Sequence, residues 1–245
     1  MKILAIDSSG LVASVAVVED DNLIAQYTIN YKKTHSQTLL PMLDEIKQMT
    51  ELDLASVDAI AVAAGPGSFT GLRIGAATAK GLGLALNKPI IPVPTVDALA
   101  YNMYATDALV CPIMDARREQ VYTGIYRFDK TEGMPFVYKL HVVKEQCAVS
   151  IYEIAEKLND ICKETGKEVV FLGDGVPVFA ERLHELLEVP YSFAPAHSNR
   201  QNAAALAVLA ADYYKADKVQ TAAEHAPDYL RLSQAERELA EKNKQ

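Results

Sequence analysis

Val57-Asp58-Ala59-Ile60-Ala61-Val62-Ala63-Ala64-Gly65-Pro66-Gly67-Ser68-Phe69-Thr70-Gly71-Leu72-Arg73-Ile74-Gly75 carries most of the information about the fold. Residues 57–63 form an apolar run broken only by Asp58, the mark of a strand covered on both faces. A glycine-rich loop follows and opens into a helix expected over about 70–86. Exposed amides at such a helix start can hold an anion. Yet the run is neither GxxxxGK[ST] nor GxGxxG, so it matches no named phosphate loop. Gly71, Gly75, Ala79 and Gly83 recur every fourth residue and leave one side of the helix nearly bare. A glycine in a helix interior costs about 1 kcal/mol relative to alanine, and close approach of another backbone is the usual compensation. The spacing alone leaves two backbones open: the chain's own sheet or first helix, or a partner in the manner of small-xxx-small contacts between membrane helices.

Working outward, residues 2–7, 11–19 and 22–30 read as strands, with Ser8-Ser9-Gly10 and Asp20-Asp21 as the turns of antiparallel hairpins. Leu39, Met42, Leu43 and Ile46 then fall at i, i+3, i+4 and i+7 and define a helix over His35–Met49, with Thr34 or Ser36 as its cap. A short strand at 89–93 and a helix at 96–103 close the first half. The second half repeats the scheme: strands at 109–114, 119–128 and 136–143 with a turn at 130–133, a helix at 151–163, a strand at 169–172, and helices at 178–187 and 202–214. Two passes of βββαβα imply an α/β chain with duplicated mixed β-sheet units flanked by helices. That is the two-lobed actin-like ATPase fold (ASKHA, RNase H-like), with a cleft between the lobes. The expected division is an N-terminal lobe at 1–104, a C-terminal lobe at 105–217 whose last helix can pack back on the first lobe, and a tail at 218–245. Residues 233–245 are charged and lack Gly and Pro, as in a solvated helix end or a frayed tail.

The chain has 245 residues, a net charge of −8 and a pI near 5.2, with no Lys/Arg-rich run. A nucleic-acid backbone needs several cations to displace its counterions, so any nucleic-acid role is expected to act through a partner. Cys111, Cys147 and Cys162 lack CxxC spacing and an even count, and read as reduced thiols of a cytoplasmic protein. The apolar run at the N-terminus is too short for a signal peptide, and no stretch approaches the roughly 20 apolar residues of a membrane span.

The titratable side chains offer little chemistry. His35, His141, His184, His197 and His225 are scattered and form no ligand pair, so no metal site and no cofactor are expected. His35 stands beside Ser36, but a Ser–His dyad needs a geometry that adjacency does not supply, and a structural or capping role is the stronger reading. Asp115-Ala116-Arg117-Arg118-Glu119 could clamp a phosphate with its arginines, or be a hairpin turn with surface ion pairs. Actin-like kinases hold phosphates with a DxG[ST] turn, whereas this chain has Asp7-Ser8-Ser9-Gly10. Gly173-Asp174-Gly175 would put a carboxylate near any phosphate, which is unfavourable without a cation. Arg73 could reach the cleft or a partner helix.

Taken together, Ile3-Leu4-Ala5-Ile6-Asp7-Ser8-Ser9, His35-Ser36, Leu39-Leu40-Pro41, the 65–75 loop, Pro92-Val93-Pro94-Thr95, Met114-Asp115-Ala116-Arg117-Arg118 and Ala226-Pro227-Asp228-Tyr229-Leu230-Arg231 resemble the bacterial TsaB family, also called YeaZ. The resemblance covers nearly the whole chain. It implies a non-catalytic accessory subunit in the synthesis of threonylcarbamoyladenosine at position 37 of tRNAs that read codons beginning with adenine. The implied partners are a TsaD-like catalytic subunit and a TsaE-like ATPase, with a homodimer when the chain is alone. The resemblance also implies pairing through the helices at 35–49 and 70–86. The expected interface is therefore Leu39, Met42, Leu43, Ile46, Gly71, Leu72, Gly75, Ala79 and Gly83. The catalytic relative carries an HxEGH-type metal pair; here Thr95 and Leu99 stand in the corresponding positions, and leucine cannot ligate a metal. The alternatives are an independent actin-like-fold ATP-dependent phosphotransferase and a peptidase.

Overall fold

A computed structural model describes residues 1–31 and 33–231, so the charged stretch at 233–245 lies outside the described residues. The N-terminal lobe runs β1 (Lys2–Asp7), β2 (Ala13–Glu19), β3 (Asn22–Ile29), α1 (His35–Met49), β4 (Ala59–Gly65), α2 (Phe69–Leu86), β5 (Ile90–Pro94) and α3 (Thr95–Ala100). The C-terminal lobe repeats it as β6 (Leu109–Asp115), β7 (Gln120–Lys130), β8 (Tyr138–Ser150), α4 (Ile151–Thr165), β9 (Val169–Leu172), α5 (Val176–Leu186), β10 (Tyr191–Phe193) and α6 (Ala203–Lys215). The sheets are ordered β3-β2-β1-β4-β5 and β10-β9-β6-β7-β8, one topology used twice. In each, the first three strands form an antiparallel meander, and the fourth joins the first in parallel. This is the two-lobed, actin-like α/β architecture.

Three elements differ from the sequence reading. β10 is a three-residue strand, too short to leave a pattern, and is fixed by pairing with β9 through Tyr191, Ser192 and Phe193. β8 runs to Ser150 because its whole length follows β7 across two register shifts. Thr34 occupies the N-cap of α1 without a side-chain hydrogen bond; its hydroxyl lies 3.3 Å from Ser36 Oγ, which donates to it.

The two faces of the first sheet are made differently. One face presents Leu4, Ile6, Val15, Val17, Ile60 and Val62 to the apolar side of α1, where Leu39, Met42, Leu43 and Ile46 are buried. Each such aliphatic side chain contributes about 1.5–3 kcal/mol on burial. The opposite face is built from Ala5, Ala16, Ala59, Ala61 and Ala63, small enough for the Ala-rich helix α6 to lie close against β1 and β2. That packing ties the last helix of the second lobe to the first sheet. α3 sits beside it, and Tyr126 of β7 and Tyr213 of α6 both donate to the Asp97 carboxylate of α3, at 2.7 and 3.0 Å.

The segment after α6 is bound to the first lobe as far as Tyr229. Ile90 and Gln220 exchange backbone hydrogen bonds of 2.8 Å each, and Ala222 packs at Gly83. His225 is buried, and its carbonyl accepts from Lys80 Nζ at 2.8 Å. No helix among the described residues is long and apolar enough to cross a membrane.

Candidate functional site

The lobes face each other across a cleft of about 640 Å³, walled by the 65–71 loop, the β1–β2 turn, Asp115 to Arg117, Asp174 and residues 228–231. The glycines of the loop explain its shape. Gly65 has φ +126°, and a Cβ on it would run into the Asp228 carbonyl oxygen. A Cβ on Gly67 would meet the Ser9 carbonyl, and one on Gly71 the Ser8 carbonyl. Three of the loop's amides are spent inside the chain: Gly65 N donates to Thr95 Oγ1 at 3.2 Å, Ser68 N to the Ser9 carbonyl at 2.7 Å, and Gly71 N to Ser68 Oγ at 3.3 Å. The loop is a receptacle for the chain's own turn and C-terminal segment.

The β1–β2 turn is closed in the same way. Asp7 is buried, and its Oδ1 accepts from Ser9 N at 2.9 Å and Ser9 Oγ at 2.6 Å. Burial pushes this carboxyl above the usual carboxylate range against those two donors. Ser8 Oγ donates to the Gly71 carbonyl at 2.9 Å, and His35 Nε2 lies 2.8 Å from the Gly10 carbonyl. His35 thus holds the turn to the start of α1, a structural role. Asp174 is also pushed upward by burial, and its Oδ1 accepts from Asp115 N at 3.3 Å.

At the other wall, Arg117, Arg118 and Glu119 have φ of 65°, 56° and 58°, a left-handed turn. Such residues cost roughly 1–2 kcal/mol each outside glycine. The turn is tied by Ala116 N donating to the Gln120 carbonyl at 3.0 Å and Arg117 N to Asp115 Oδ1 at 2.8 Å. Arg117 pairs with Asp115 at 2.9 Å while its side chain is 86% exposed, the hairpin reading with a surface ion pair. Arg73 sits over the Phe69 ring at 3.9 Å and donates to Tyr229 Oη at 3.2 Å, engaged by its own chain.

The positions aligned by the resemblance with the metal pair are core positions. Thr95 is fully buried on Gly65 N, and Leu99 is 1% exposed and close to Gly173. Among the described residues, no group of three His, Cys, Asp or Glu side chains is placed to hold a metal ion. The cysteines are free thiols; burial pushes Cys111 up to about 12, which leaves it unreactive.

The residues expected at the interface lie on the inward sides of α1 and α2. Leu39, Met42, Leu43 and Ile46 point into the core under α1, and Leu72, Gly71, Gly75, Ala79 and Gly83 are buried under α2. Gly75 faces Ser8 Oγ and Val62, and Gly83 faces Lys88, Ile90 and Ala222, so the backbone that approaches the bare face is the chain's own. The opposite side of α2 is the open one. Ala77, Gly81 and Leu84 lie there at i, i+4 and i+7, Gly81 has open space at its Cβ position, and Leu84 is 69% exposed. This second stripe was hidden in the sequence because Gly81 and Gly83 satisfy small-residue spacings on opposite faces of one helix.

Fold and cleft define a protein of the two-lobed actin-like class, with Asp7, Thr95 and Leu99 buried in its own packing. The family model described as TsaD, tRNA N6-adenosine threonylcarbamoyltransferase, matches residues 22–239. The tRNA threonylcarbamoyladenosine biosynthesis protein TsaB of Bacillus subtilis is 33% identical over 244 residues, covering 100% of both chains. The Escherichia coli protein of the same name is 36% identical over 153 residues, 60% of this chain and 66% of that one. The solved structure of YeaZ from Pseudomonas aeruginosa superposes with a TM-score of 0.77 at 25% identity, over 94% of this chain and 99% of that one. The chain belongs to the TsaB (YeaZ) family.

Proposed function

We propose that this protein is the non-catalytic accessory subunit of tRNA threonylcarbamoyladenosine synthesis, acting by binding and activating a TsaD-like catalytic subunit together with a TsaE-like ATPase. Family membership supports the pathway, since the Bacillus subtilis relative that spans the whole chain carries that name. The observation that carries the accessory reading is the fate of Thr95 and Leu99: both are locked into the core, where they cannot be ligands. The closed β1–β2 turn and the Asp174 carboxylate beside the cleft further disfavour a phosphate-bearing substrate held by this chain alone.

The docking surface is the outer side of α2, with Ala77, Gly81 and Leu84, extended by the exposed Leu40 of α1. Small residues there permit close helix approach, and the same surface serves a homodimer in the absence of the catalytic subunit. Contact with tRNA is indirect, in keeping with the charge of −8. Titration of the purified protein with Mg-ATP in a calorimeter tests the accessory reading against the independent enzyme. No heat of binding is expected at micromolar concentrations, and tight binding by the chain alone would overturn it.

A further inference from the structure

Residues 226–231 cross the open side of the cleft and touch both lobes. On the first lobe, Asp228 N donates to the Ala64 carbonyl at 2.7 Å, at the C-terminal end of β4, while the Asp228 carbonyl fills the space that a side chain at Gly65 would take. Tyr229 packs on Phe69 with ring centroids 4.6 Å apart, and its hydroxyl accepts from Arg73. On the second lobe, the Arg231 guanidinium donates to the Ala116 carbonyl at the left-handed turn. Arg231 is thus the strap's hydrogen bond across the cleft, and Asp228 to Arg231 themselves line the cleft. The root of the segment is firm, because Ala222 and His225 are buried and Lys80 holds two of its carbonyls. Its tip is different. Asp228 and Tyr229 are exposed, and a few polar contacts and one aromatic pair hold them. Segments held by few buried apolar contacts open at a small fraction of the global unfolding cost.

We propose that residues 226–231 are a releasable strap, hinged at His225, that bolts the lobes together through Arg231 and closes the cleft over the 65–70 loop. The cleft is then a guarded compartment: the loop and the Ala116 turn become accessible when the strap lifts, while the root stays docked. The glycine at position 65 is explained on this reading as the seat of the strap's backbone.

Hydrogen exchange read by mass spectrometry on the full chain tests this, comparing wild type with the Tyr229→Ala/Arg231→Ala double variant. Peptides covering 65–72 and 112–118 are expected to exchange at least tenfold faster in the variant, with those covering 2–7 and 169–172 unchanged. Cleft peptides that stay within twofold of wild type while 226–231 itself exchanges faster would overturn the proposal, since the segment would then be a tail resting on one lobe. If the double variant also loses protection at 2–7 and 169–172, Arg231→Ala alone decides, because it keeps every contact with the first lobe. Faster exchange at 112–118 in that variant supports the strap, and an unchanged rate there refutes it.

Discussion

Gly71 and Gly81 lie ten positions apart in one helix and have opposite reasons for existing. A methyl group at Gly71 would collide with the Ser8 backbone carbonyl, which cannot retreat without moving the β1–β2 turn. Gly71→Ala is expected to destabilise the fold by about 1–3 kcal/mol, overpacking outweighing the gain in helix propensity. Gly81 meets nothing within 4 Å, so Gly81→Ala should stabilise by about 0.5–1 kcal/mol. Urea denaturation of both variants checks the pair, and equal effects would show that the packing is misread. Asp97 gives a second residue-scale prediction. Burial raises its carboxyl against the hydroxyl donors Tyr126 and Tyr213, so the folded state binds this proton more tightly than the unfolded chain does. Its contribution to stability is therefore present below the ordinary carboxylate pKa and is lost as pH rises through the raised value. Asp97→Asn cannot ionise, so the melting-temperature advantage of wild type over this variant should shrink from pH 4 to pH 7. An advantage that grows over that range would contradict the assignment.

At the scale of elements, α2 has two faces with different duties. Gly75 lies on the inner face against Ser8 and Val62, so Gly75→Leu is expected to unfold the monomer and not merely to separate partners. Leu84→Arg, on the outer face, should leave the circular dichroism spectrum and melting temperature within the ordinary scatter of surface substitutions. The same variant should abolish self-association in analytical ultracentrifugation; a dimer of normal mass would remove the outer face from the interface. The sequence made the helix and its small-residue stripe plain, because a four-residue spacing survives any tertiary context. It did not show which backbone fills the stripe, because Ser8 lies 63 residues from Gly71 and the contact leaves no local pattern. The repeated βββαβα order was legible for the same reason as the helix: alternating and 3.6-residue periods are local. β10 was not, since three residues carry no period. Residues 226–231 stood out in the sequence only as part of the resemblance, and their approach to Ala64, Gly65 and Phe69, which no local pattern records, gives them a structural role.

At the scale of the molecule, two sheets of one topology are joined through α3 and α6, and a nucleotide-type cleft is closed from within. The chain matches a family model described as a transferase, while its Thr95 and Leu99 are core positions and its Asp7 and Ser9 make a buried contact. The most direct measurement is reconstitution of tRNA modification from a purified TsaD-like subunit, a TsaE-like ATPase, the threonylcarbamoyl donor and tRNA, with and without this protein. Threonylcarbamoyladenosine is expected only when the protein is present, with at least a tenfold loss when Leu84→Arg replaces wild type. Modification that proceeds at the same rate without the protein would contradict the account.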